Sequence, residues 1–321
     1  TETADCYESV MYLAECEIVA GTGNDCFSPE QLITVEQWAV MLCRAYGVET
    51  IGDSWQDVGR SGVVEAYRQG WLNETALSAP RSPMCRSVLV ESAFAAADVP
   101  VYDSTLYEGG ASLSTADNIL RVGRELGLCS DDADTNALVT RGDAAIILHV
   151  VLTQSFRIEE PPVPVTLVNA AGVNVNDFLL ELRKLPEQVL DAFNAAGWTY
   201  CIDFDYMGGL SKKLNMSCIG ATNYSQKTIY LSDASATLHE FGHFLDWRLG
   251  FPVEHEHLYL AEAQNSGLRD YAKTNAIEYF ADCFDYWITY SADKKRMDDF
   301  RDAAPQTYAY MKKLATNNWG A

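Results

Sequence analysis

The chemistry of this 321-residue chain is concentrated in five residues, His239-Glu240-Phe241-Gly242-His243. Two imidazoles four residues apart stack on one face of a helix, where both can reach a single Zn²⁺ ion. Glu240 stands beside that face, placed to take a proton from an attacking water. The chain holds only 5 histidines, so the pairing is unlike a scatter of surface imidazoles. The pattern predicts metal-assisted hydrolysis on a helix spanning about 236–246.

A catalytic zinc keeps three protein ligands and an open position. His255 and His257 are the other clustered histidines. They follow Gly250 and Pro252 and read as surface residues of a polar loop in preference to ligands. Glu278 and Asp282 are the better pair. They lie four apart in a stretch with helical apolar spacing and so share one helix face. Glu278 is the expected third ligand. Asp282 is placed to accept the N–H of a ligating His and fix its tautomer. Asp246, three residues after His243, falls on the same face as that ligand, either to orient it or to pair locally.

These spacings support a resemblance. The five-residue motif, followed 35 residues after His243 by Glu278-Tyr279-Phe280-Ala281-Asp282, resembles the catalytic domain of the anthrax lethal factor family and the related Pro-Pro endopeptidases. The family's helix reads Tyr-x-x-x-Asn-x-x-Glu-aromatic-Phe-Ala-acid, met here from Tyr271 and Asn275 onward. The last acid, commonly Glu in the family, is Asp282, one methylene shorter. Arg301–Lys312 resembles the family's C-terminal helix. The resemblance implies a zinc endopeptidase of the Glu-zincin type. His239, His243 and Glu278 would hold the metal, Glu240 would act as general base, and Tyr271 would stabilise the oxyanion or protonate the leaving group. The resemblance likewise implies a protein or peptide substrate. Both Pro-Pro specificity and a preference for upstream basic residues occur in the family, and no residue of this chain chooses between them.

The elements that must position these groups are read from periodicity. A long amphipathic helix is expected at about 176–195, then a strand Thr199–Phe204, a turn or loop at Met207–Leu210, and a strand within Ser225–Asp233. Thr228, Ile229, Tyr230 and Leu231 are the expected sheet edge beside the metal, able to pair with a peptide through backbone hydrogen bonds.

Residues 1–152 read differently, as helix–turn–helix segments recurring at about 50-residue spacing. They resemble three S-layer homology repeats, modules that anchor proteins to Gram-positive cell-wall polymers. The signature is best kept at Val139-Thr140-Arg141-Gly142-Asp143, is Ile33-Thr34-Val35-Glu36 in the first copy, and is eroded around Cys85-Arg86-Ser87 in the second. The resemblance implies a wall-polymer contact at Thr140 and Arg141. Charge pulls against it. Residues 1–165 carry nine arginines, no lysine and 25 acids, a net −16 of the chain's −22, so this half is poorly suited to bind an anionic polymer by long-range attraction unless one basic pocket is focused. Anchoring and a scaffolding or protein-docking role stand level. The acidic loop Asp131–Asp134 is a weak candidate for Ca²⁺ without an EF-hand pattern.

The expected fold is therefore α+β. A three-repeat all-α domain (1–155) and a Pro-rich linker (156–165) precede a peptidase domain (166–321) with a small mixed sheet. No run of 18 apolar residues predicts a membrane span, and the acidity argues against nucleic-acid binding. Six of 9 cysteines precede the linker, enough for three disulfides in an exported protein. Cys201–Cys218 is a further candidate bridge, with Cys283 free. The opening Thr1-Glu2-Thr3 is consistent with a mature form after signal-peptide removal. Secretion, with or without wall association, is the expectation. The alternative function is a wall- or protein-binding protein whose peptidase-like domain is inactive. A structural zinc site is disfavoured because such sites prefer four closed ligands, often Cys.

Overall fold

In the computed structural model the chain divides into two units between Pro161 and Pro162, inside the proline cluster. Residues 5–23 and 26–320 are described. The Thr1–Thr3 start and Asn24–Asp25 of the first glycine-rich turn lie outside them. Phe156 and Ile158 pack on the N-terminal core, so the segment just before the prolines belongs to that unit.

The first unit holds helices α1 (Tyr7–Glu15), α2 (Val35–Ala45), α3 (Trp55–Arg68), α4 (Glu74–Ser78), α5 (Arg86–Ala96), α6 (Thr115–Glu125) and α7 (Arg141–Thr153). Its repeats meet in a closed ring of backbone hydrogen bonds. Ile33 N–H donates to Val139 C=O (2.9 Å), Val139 N–H to Met84 C=O (3.0 Å), and Met84 N–H to Ile33 C=O (3.0 Å). Positions 33, 84 and 139 are thus equivalent, which gives the 50-residue spacing a physical basis. Thr34 and Thr140 close capping boxes on α2 and α7. Cys85 holds the same place before α5 without a side-chain cap, so the eroded copy lacks a bond that contributes about 1 kcal/mol.

The two residues expected to touch a wall polymer are engaged inside this unit. Thr140 Oγ1 accepts from Asp143 N–H (3.1 Å). Arg141 is 6% exposed. Its Nε donates to Phe27 C=O (3.0 Å) and its Nη2 to Ala20 C=O (3.2 Å), with the guanidinium over the Phe27 ring. Arg141 staples two chain segments together.

The disulfide expectation is not met, since all nine cysteines are free thiols. In the first unit three of them nestle against helix glycines. Cys43 Sγ donates to Gly62 C=O (3.6 Å), and Cys129 and Cys6 fill the space a side chain would take at Gly123 and Gly142.

The second unit runs β1 (Leu167–Asn169), α8 (Asn176–Arg183), α9 (Glu187–Ala195), β2 (Thr199–Ile202), α10 (Phe204–Leu214), β3 (Gly220–Asn223), β4 (Thr228–Leu231), α11 (Thr237–Leu249), α12 (Val253–Glu262), α13 (Ala276–Tyr290), α14 (Lys294–Ala303) and α15 (Pro305–Thr316). The sheet order is β1-β2-β4-β3, parallel except for β3 against β4. This corrects the expected edge. Thr228–Leu231 lies inside the sheet, bonded on both sides, and β3 is the edge. Ile229 and Leu231 are fully buried, as an inner strand requires. β4 also separates β2, which carries Cys201, from β3, which follows Cys218, so the proposed bridge has no short path.

Two further expectations change. The helix at 176–195 is two helices, because Pro186 lacks an N–H and disfavours helical backbone at Leu185. Met207–Leu210 is not a loop but the middle of α10. Asp203 caps that helix and Asn215 ends it in the left-handed region, while Gly208 and Gly209 face open space.

Among the described residues, no helix is long and apolar enough to cross a membrane.

Candidate metal centre

Helix α11 is buried along Thr237–Asp246, so both of its histidines sit in the interior. It crosses α13 at Gly242. A Cβ there would lie 2.6 Å from Ala281 Cα and 2.8 Å from its carbonyl oxygen. Only glycine lets the two backbones approach this closely. The contact brings the first turn of α13 over the two imidazoles. Asn275 starts that turn by accepting from the N–H groups of Ile277 and Glu278, both at 3.0 Å. Helix α13 therefore begins after Asn275, and Tyr271 lies before it, in the 3-10 turn Asp270–Lys273.

Three atoms able to ligate a metal converge. His239 Nε2 is 3.1 Å from His243 Nε2 and 3.1 Å from Glu278 Oε2, and His243 Nε2 is 3.3 Å from the same oxygen. A tetrahedral ion bound at about 2.0–2.1 Å would have ligand–ligand edges of roughly 3.4 Å. The triangle thus fits a zinc-sized cation within a few tenths of an ångström. Glu240 also offers an oxygen within 4.8 Å of the two imidazoles. Its Oε2 also accepts from Thr222 Oγ1 at 2.7 Å, so that oxygen is already engaged, whereas Glu278 Oε2 lies directly against both imidazole Nε2 atoms. Among the described residues the one cluster of three or more His, Cys, Asp or Glu with ligand atoms within 4.8 Å of one another is His239, Glu240 and His243, and the Asp131–Asp134 loop forms none.

His239 Nδ1 is 2.6 Å from Asp282 Oδ1. In the neutral ring a carboxylate there makes Nδ1 the protonated nitrogen and leaves Nε2 its lone pair. Burial opposes charge at His239, but the hydrogen bonds to Asp282 and Glu278 prevail and push its pKa up to about 9 without metal. Burial likewise opposes ionisation of Glu278 and Asp282. Bonds to the two histidines hold Glu278 well below the usual carboxylate range, and bonds to His239 and Arg269 lower Asp282. Tyr271 is 42% exposed, its ring 5.9 Å from that of His239. Burial and the charge of Glu278 push its phenol up to about 12. It is a neutral donor across the working range.

Asp246 lies apart from this group. It is 1% exposed and pairs with His255 Nδ1 at 2.8 Å, while His255 Nε2 meets Tyr310 OH at 3.0 Å. His255 is 4% exposed on α12 and stacks on Phe280 at 3.9 Å. It is therefore not a surface loop residue. The Asp246–His255–Tyr310 chain, buried at its first two members, ties α11, α12 and α15 together. His243 Nδ1 is buried with no partner.

A cavity of about 810 Å³ opens over the ligands. One wall is the edge strand β3. Exposed apolar side chains Leu214, Met216, Ile219 and Ile277 line it further out. Gly220 packs on the base, since a Cβ there would lie 2.6 Å from Glu240 Oε1.

The structure brings together His239, Glu240, His243, Tyr271, Glu278 and Asp282. The sequence reading missed Thr222, Gly220, Gly242 and Arg269. Gly242 had a signal, because a glycine inside one motif and an alanine inside the other allow helices to touch. Thr222 and Arg269 had none, being ordinary residues outside both motifs.

Comparison with known proteins gives similarities to a family model and to solved structures. Curated proteins give no match. The Pro-Pro endopeptidase from Paenibacillus alvei is a similar solved structure at 18% identity and TM-score 0.36, over 46% of this chain and 96% of that one. Residues 183–314 match the family model described as anthrax toxin lethal factor, N- and C-terminal domain, a stretch that contains every residue of the centre.

Proposed function

We propose that the second unit is a zinc-dependent endopeptidase. The observation that carries this reading is the convergence of His239, His243 and Glu278, with Glu240 held beside them and a cleft above. His239, His243 and Glu278 would hold the ion. When bound, zinc supplies Lewis acidity to a peptide carbonyl and lowers the pKa of water.

The remaining chemistry belongs to the chain. Glu240, fixed by Thr222 and crowded by Gly220, takes the proton of the attacking water and delivers it to the leaving amine. Tyr271 donates its phenol hydrogen to the oxygen on which negative charge develops. The free edge of β3 offers backbone groups to an extended peptide irrespective of its side chains, and Asp282 keeps His239 oriented through its Nδ1.

The test joins metal content to cleavage of an unbiased peptide library by wild type and Glu240→Gln. Bound zinc, cleavage by wild type and its loss in the variant are expected. Equal cleavage by both would sink the mechanism. Zinc without any cleavage would favour a binding protein with an inactive peptidase-like domain. The same library reports the scissile bond.

For the first unit we propose a protein-docking or scaffold role over wall anchoring. The net charge of −16 and the internal engagement of Thr140 and Arg141 support it. An extracellular location remains part of the proposal, tested by fractionating culture medium, wall and cells. Pull-down on purified anionic wall polymer separates anchoring from docking.

A further inference from the structure

Arg269 sits just before the 3-10 turn that carries Tyr271, outside both metal-site motifs. Its Nε donates to Asp282 Oδ2 (2.7 Å) and its Nη2 to Asp282 Oδ1 (2.6 Å), a two-pronged grip on one carboxylate. Oδ1 is also the oxygen that meets His239 Nδ1, so Nη2 and Nδ1 lie 3.1 Å apart around a shared acceptor. The guanidinium in addition stands 5.4 Å from the Tyr271 ring centre. Asp282 is buried, its side chain 4% exposed, whereas that of Arg269 is 56% exposed and lies at the rim of the cleft.

We propose that Arg269 is a positioning residue, which rests on the zinc peptidase reading above. It fixes the plane of the Asp282 carboxylate and so the direction of the His239 Nε2 lone pair. A carboxylate on a short side chain can rotate, and a single hydrogen bond to an imidazole does not prevent it. The planar guanidinium fork does, because both oxygens must stay in its plane. Oδ1 then remains aimed at Nδ1, and Nε2 remains aimed at the point shared by His243 and Glu278. The same side chain braces the face of Tyr271, so one exposed cation joins the ligand-orienting acid to the phenol. A lysine offers the charge without the fork.

The test is zinc affinity, read by chelator competition on the full chain and independent of turnover. Arg269→Leu is expected to weaken zinc binding about 10–100-fold, and Arg269→Lys to recover only part of the loss. Adding Arg269→Leu to Asp282→Asn is expected to change affinity no further, since the arginine acts through that carboxylate. Additive losses would overturn the proposal. So would unchanged zinc affinity in Arg269→Leu with a raised KM, which would make Arg269 a substrate contact. The control is His243→Ala. If wild type fails to bind zinc, or binds it equally without His243, the peptidase reading itself falls. If zinc depends on His243 but not on Arg269, only the present proposal falls.

Discussion

Gly242→Ala is the sharpest probe of how the two helices build the centre. In an unconstrained helix the change would stabilise by about 1 kcal/mol, because alanine is the better helix former. Here the added Cβ would meet Ala281 Cα at 2.6 Å and its carbonyl oxygen at 2.8 Å. Carbon atoms settle at about 3.5–4.0 Å, so α11 and α13 must separate by roughly 1 Å. Backbone lies on both sides, and no rotamer can relieve the contact. Overpacking of this kind costs about 1–3 kcal/mol, a fall in Tm of roughly 3–10 °C for a unit of this size. Glu278 precedes Ala281 by one turn and moves with it. The 3.1 and 3.3 Å edges of the ligand triangle then lengthen, and a misplacement of about 1 Å lowers the rate about 10²-fold. Thermal unfolding of metal-free protein, chelator competition and peptide turnover read the three effects separately. A variant that is more stable than wild type and binds zinc equally well would refute the close-crossing argument, since propensity alone would then have decided the sign.

The other predictions concern the chemistry. Glu240→Gln should lower kcat about 10²–10⁴-fold with bound zinc unchanged, because the ligand triangle is intact; zinc analysis beside kinetics checks both. Tyr271→Phe should lower kcat by about 10²–10³ with little change in KM. Because burial and the charge of Glu278 push the phenol up to about 12, the wild-type pH–rate profile should show no loss from its ionisation below about pH 11. Thr222→Val, which keeps the shape but removes the hydrogen bond to Glu240, should slow turnover roughly tenfold, with Thr222→Ser restoring it. Metal removal should reveal His239. Its folded pKa is raised from 6.5 to about 9, so its protonation stabilises the metal-free protein fully below pH 6.5, and that contribution is lost as pH rises through 9. Zinc displaces this proton, so apparent zinc affinity should climb with pH between those values; a flat profile would contradict the assigned hydrogen bonds.

What the sequence by itself determined is what local spacing encodes. His239 and His243 four apart, Glu278 and Asp282 four apart, and the 50-residue recurrence in the first half are properties of helix geometry, legible without knowing which helix meets which. Pro186 and the capping residue Asn275 were also local signals, and reading them as such would have placed those two helix boundaries. Tertiary structure decided everything that depends on a neighbour distant in sequence. Strand order put β4 inside the sheet and β3 at its edge, because a period-two pattern marks a strand but not its partners. Packing sent Asp246 to His255 instead of to a ligand, and turned Arg141 from a presumed surface contact into an internal staple. Cysteine counting suggested disulfides, yet each helix glycine in the first unit that accepts a thiol leaves it without a sulfur partner. The candidate metal centre shows the division most plainly. The types of its candidate ligands were written in two short motifs, but their convergence within 3.3 Å exists only because Gly242 lets two backbones touch.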